Sequence, residues 1–128
     1  MKSNIRGTTL LEMIVVVAIL ASLAAMIFPN IMRVRISGNE THAQATLKTI
    51  SVALESYLNI NQTYPATTNV LLGGAAPYLS KDYFDGNIYG GYTFTAALTS
   101  HTYEITATPS SANQGTQTFV IATSGVFQ

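Results

Sequence analysis

Glu12 is a carboxylate set two residues into a run of apolar side chains that extends from Leu10 to Phe28. Ser22 is the only other polar side chain in that run. As a helix rising about 1.5 Å per residue, Thr8 to Phe28 covers roughly 30 Å, one hydrocarbon thickness. A carboxylate there costs on the order of 3 kcal/mol on insertion scales and calls for a partner. A short head, Met1 to Gly7, precedes the run and carries Lys2 and Arg6. A secretory signal would keep its apolar stretch free of acid, and its stretch would be shorter. A plain membrane anchor has no use for Glu12. What Glu12 pairs with is therefore the main question the sequence raises.

Composition narrows the remainder. The chain has 128 residues, six basic and six acidic, and no cysteine. Equal charge of both signs leaves no basic field for nucleic acid. The lack of cysteine removes disulfides, thiol catalysis and cysteine-based zinc sites. About 100 residues follow the apolar run, enough for one modest core.

The spelling Gly7-Thr8-Thr9-Leu10-Leu11-Glu12-Met13-Ile14-Val15-Val16-Val17 resembles the class III signal of type IV pilins and type II secretion pseudopilins. Gly7, Glu12 and Pro29 stand where that pattern puts them, while Thr8 replaces the usual phenylalanine. The resemblance implies cleavage after Gly7 by a prepilin peptidase and N-methylation of Thr8. It implies a leader 1–7, an assembly and membrane helix 8–29, and a globular head 30–128. It also implies a non-enzymatic subunit with no cofactor. Such a subunit waits in the inner membrane as a single-pass precursor, head outside the cytoplasm. It then polymerises with copies of itself on an assembly platform driven by a separate ATPase. The expected filament is a pilus or pilus-like fibre; a major secretion pseudopilin is the alternative. A monomeric membrane-anchored binding domain is a third reading, of a different class.

Glu12 then has a physical role. Cleavage exposes a positive amine at Thr8, and the expectation is that this amine and Glu12 of a neighbouring subunit neutralise each other. An ion pair in low dielectric is costly to break, so it sets axial register between helices.

Residues 8–28 are expected to be helical despite their β-branched content, because backbone in lipid must satisfy its own hydrogen bonds. Pro29 removes an N–H and predicts a kink or a local melt, with Gly38 as a second weak point. Arg33 and Arg35 lie between them, suited to headgroups or to acids on a neighbour. From Asn39 to about Asn59 the pattern is amphipathic. Ala43, Leu47, Ile50, Leu54 and Tyr57 recur at helical spacing. Gln44, Lys48, Ser51 and Glu55 are assigned to the opposite, solvent side. A Gly- and Pro-punctuated loop to about Gly91 follows, in which Val70–Leu72 and Pro77–Leu79 are a tuck or a turn of helix. Period-two alternation over 92–98, 102–107 and 118–122 predicts strands, the second stopped by Pro109, with Val126–Phe127 as a terminal edge or tuck. The expected fold is α+β: one long N-terminal helix, membrane-spanning then amphipathic, packed on a small antiparallel meander.

Catalytic and metal sites have little support. His42 and His101 lack a ligand pattern around them. Asp82, Asp85 and Asn87 have spacing that could present oxygens to calcium, but no bidentate glutamate follows where a calcium loop needs one. Turn formation is the favoured reading for all three.

Overall fold

The computed structural model describes the backbone of residues 5–128 and side chains from Thr9 onward. The first element, α1 (Ile5–Asn61), is 57 residues long. A four-stranded antiparallel sheet follows in the order β1 (Tyr92–Leu98), β2 (Tyr103–Pro109), β3 (Phe119–Ala122) and β4 (Val126–Phe127). The α+β plan with a meander is as the alternation predicts. The chain divides into two units at Val34–Arg35.

In the N-terminal unit, side chains from Thr9 to Ile31 are all exposed. Ser22 satisfies its own hydroxyl by donating to the Ala18 carbonyl at 2.9 Å. The helix is continuous across both Pro29 and Gly38, so neither residue ends it.

The C-terminal unit is built on the apolar stripe of α1. Ala43, Leu47, Ile50, Ala53 and Leu54 are buried there. Burying a large aliphatic side chain is worth about 1.5–3 kcal/mol, against propensity differences below about 0.7 kcal/mol. Packing, not propensity, therefore holds this half helical. From the sheet, Tyr92, Phe94, Tyr103, Ile105, Ala107 and Ile121 close the core. The registers Phe94↔Ala107 and Ile105↔Ile121 set these residues side by side on one face. Pro109 ends β2, as its missing N–H predicts.

The helix runs two residues past the expected end. Gln62 takes the left-handed conformation (φ 62°), and its N–H returns to the Leu58 carbonyl at 2.8 Å. The loop then folds over the core. Thr68–Leu71 makes a single 3₁₀ turn that buries Leu71, and the Leu79 N–H reaches the Leu71 carbonyl at 2.9 Å. Gly90 and Gly91 both have positive φ and lie against α1. A Cβ at Gly90 would meet the His42 ring at 2.5 Å, and the φ of +57° also favours glycine there.

One expectation is corrected. Ser51 and Glu55 do not face solvent: Ser51 is only 4% exposed and Glu55 is half-buried. The turn between β3 and β4 reaches that edge of α1: Glu55 accepts from its Ser124 N–H, while Ser51 bonds the Tyr103 hydroxyl of β2, which in turn accepts the Gly125 N–H. Helical periodicity marks polar positions as outward and cannot see a turn arriving from 70 residues away.

Candidate assembly segment

The apolar half of α1 is a helix with its side chains uncovered among the described residues. Along the candidate membrane span, the most apolar 18-residue window has no side chain buried. Glu12 is exposed within this surface, and among the described residues no group bonds its carboxylate. Of the two polar side chains in the Leu10–Phe28 run, then, Ser22 is satisfied by the Ala18 carbonyl, while Glu12 has no partner among the described residues. Leader residues 1–4 lie outside the described residues. Gly7 and Thr8 lie in the opening turns of α1, where only the backbone is described. Thr8 and Glu12 are four residues apart, one helical turn. A chain end created at Thr8 would thus be a helix N-terminus, whose positive dipole also favours a carboxylate nearby. Arg33 and Arg35 are exposed.

The acidic loop is organised differently. Asp82 Oδ1 accepts the Phe84 N–H at 2.8 Å. Asp85 Oδ1 accepts the Asn87 N–H at 2.9 Å, and its Oδ2 accepts the Asn87 amide at 2.7 Å and the Tyr89 hydroxyl at 2.6 Å. The Tyr89 hydroxyl, with the Asn87 N–H second, holds the Asp85 carboxyl below its ordinary value. These oxygens serve turns. Among the described residues no three His, Cys, Asp or Glu side chains group as metal ligands. His101 is exposed at the β1–β2 hairpin.

Two sets of contacts that the sequence did not reveal fix the sheet on the helix. At one end, Glu40 Oε1 accepts from the Thr116 N–H (3.0 Å) and hydroxyl (2.7 Å), while the Asn39 amide donates to the Gln114 carbonyl at 2.8 Å. At the other, Glu55 Oε1 accepts from the Tyr64 hydroxyl (3.0 Å) and the Ser124 N–H (3.1 Å). Beside it the Tyr103 hydroxyl lies 2.7 Å from Ser51 Oγ and accepts the Gly125 N–H at 3.0 Å. Burial, with the Glu55 carboxylate second, pushes the Tyr64 phenol up to about 12. No spacing rule reports the distant partners of Asn39, Glu40, Ser51 and Glu55, which lie 52 to 76 residues away.

The family model for the prokaryotic N-terminal methylation motif matches residues 2–28. The chain is 35% identical over 69 residues to a type IV wide pilus major component of Thermus thermophilus, covering 54% of this chain and 53% of that one. It is 34% identical over 92 residues to a type IV major pilin of Myxococcus xanthus, covering 72% and 38%. The motif and these similarities support the type IV pilin and type II secretion pseudopilin family. The second branch enters through core protein G of the Pseudomonas aeruginosa type II secretion system, 41% identical over 61 residues, 48% of this chain and 43% of that one. The pilin-like chain spans about half the length or less of these curated relatives. The matched motif takes in Gly7, Thr8 and Glu12 and stops one residue before Pro29.

Proposed function

We propose that this chain is a structural subunit of a type IV pilus or pilus-like filament, cut after Gly7, methylated at Thr8 and polymerised through the apolar half of α1. The observation that carries the reading is the unburied apolar surface from Leu10 to Phe28, with Glu12 inside it and without a partner among the described residues. Such a surface requires lipid or other helices around it. The precursor meets lipid in the inner membrane, with its head outside the cytoplasm, and the filament meets copies of itself. Glu12 of one subunit takes the Thr8 amine of another, which costs little once paired and penalises every other register. Pro29 and Gly38 are the positions where the helix yields as the subunit passes from membrane to fibre. A prepilin peptidase and N-methyltransferase prepares the terminus. An assembly platform with its own ATPase supplies the work. The relatives are structural subunits, and the same role, without catalysis, is proposed here.

The match to core protein G favours a second reading, a secretion pseudopilus, built by the same assembly chemistry. Two measurements test the proposal. Mass spectrometry of the cellular protein should find a chain beginning at methylated Thr8; an intact Met1 would overturn processing. Glu12→Val should insert in the membrane normally and yield few or no fibres by electron microscopy of sheared fractions. Fibres at the unmodified level would refute the pairing.

A further inference from the structure

The C-terminal unit carries a projection and a groove that its own fold does not use. The projection is Ile88, 59% exposed. It stands on a loop whose polar groups are bound locally, through the Asp82 and Asp85 turns described above. The Lys81 ammonium lies 4.1 Å over the Tyr89 ring. The Tyr83 ring packs edge-on against Tyr89 at 5.5 Å and against the core residue Phe94 at 6.0 Å. The loop is thus tied to β1 and to itself, with Ile88 left outward. A side chain already fixed in place loses little freedom on contact.

The groove, about 480 Å³, lies on α1 between Lys48, Val52 and Ser56 on one side and Tyr78 on the other. Val52 is 58% exposed, although Ala53 and Leu54 beside it are buried. Tyr78 is a firm wall, held edge-on against Tyr57 at 5.4 Å. Lys48 is exposed, and among the described residues no carboxylate pairs with it. At the projection the signs are reversed. Asp82 uses one carboxylate oxygen for the Phe84 N–H, and Asp85 lies three residues before Ile88. Lys81 offsets one of these two acids, and the apolar knob with the remaining negative charge fits an apolar groove flanked by a lysine.

We infer that Ile88 of one copy seats in the Val52–Tyr78 groove of a second copy, with Lys48 of the second facing Asp82 of the first. This contact rests on the filament reading. Knob and groove are different surfaces, so the contact is heterologous and propagates along a fibre instead of closing on a pair. It would join head to head, separately from the Glu12 register device.

The chain has no cysteine, which makes a clean cross-linking test possible. Val52→Cys and Ile88→Cys are introduced together in the full chain, fibres are collected and oxidised, and the product is run without reductant. Both positions are exposed, and an unchanged unfolding midpoint confirms that the head is intact. A disulfide forms only where Cα atoms come within about 4.4–6.8 Å. The expected result is a ladder of dimers, trimers and longer species, with each single variant remaining monomeric. Fibres of the double variant that run as monomer overturn this contact and leave the filament reading standing. Cross-linking of Ile88→Cys alone at the double variant's level overturns it as well. If the unmodified chain makes no fibres in its cell, the filament reading falls, and this contact with it.

Discussion

The two halves of α1 both carry apolar side chains, and these meet opposite fates. Between Leu10 and Phe28 every apolar side chain is exposed; between Ala43 and Leu54 every residue of the apolar stripe is covered. The difference is where the cover comes from. The later half has a polar side, so one stripe can be sealed by this chain's own sheet. The earlier half is apolar all round, and no single sheet can seal a cylinder. Its cover has to come from outside the chain, as lipid or as other helices. One helix thus serves as a folding scaffold at one end and presents an uncovered apolar surface at the other.

The comparison is broken most directly by truncating equivalent leucines. Leu54→Ala should cost about 2–5 kcal/mol of head stability by denaturant unfolding of the full chain in detergent. Leu20→Ala should move the same curve by less than about 0.5 kcal/mol and act on fibre yield instead. Equal losses from the two would show that the halves are not independent in the way described. Next in size is Tyr103→Phe, which leaves the Gly125 N–H without an acceptor and Ser51 without a partner in a buried site. A loss of about 1–3 kcal/mol is expected, again confined to the head.

Alkaline titration sharpens the same point, because the affected phenols belong to the head. Tyr64 has a folded value of about 12 against an ordinary 10.0. The folded state therefore prefers the neutral phenol. That stability is fully present below pH 10 and drains away as pH rises toward 12. Burial shifts Tyr92 and Tyr103 in the same direction. Tyrosinate absorbance should rise late and together with loss of the head's near-ultraviolet circular dichroism. Ionisation at pH 10 with the fold unchanged would contradict the buried setting of Tyr64.

The smallest effect is expected at Glu40. Donation from the Thr116 N–H, and then from its hydroxyl, holds the Glu40 carboxyl below its ordinary 4.5. A lowered value means stability that is present above pH 4.5 and lost as pH falls through the folded value. The site is solvated, so Glu40→Gln should cost under about 1 kcal/mol at neutral pH. The variant should also flatten the acid limb of the stability curve. An unchanged acid limb would place that limb's origin in other carboxylates.

The sequence settled whatever depends on local order or on the character of a whole segment. The apolar cylinder, the stripe from Ala43 to Leu54, the stop at Pro109 and the alternation of β1 and β2 are all written in neighbouring residues. Each follows from helical or pleated geometry acting over a few positions. The placement of Gly7, Thr8 and Glu12 was legible for the same reason. Only the tertiary structure decided the roles of Ser51, Glu55, Asn39 and Glu40. Apart from Tyr64, which lies 9 residues from Glu55, their partners arrive through chain reversals from 52 to 76 residues away, and a hydrogen bond depends on distance in space, not on distance along the chain. It likewise decided that Asp82 and Asp85 spend their oxygens on turns, because that choice rests on backbone angles which composition leaves open.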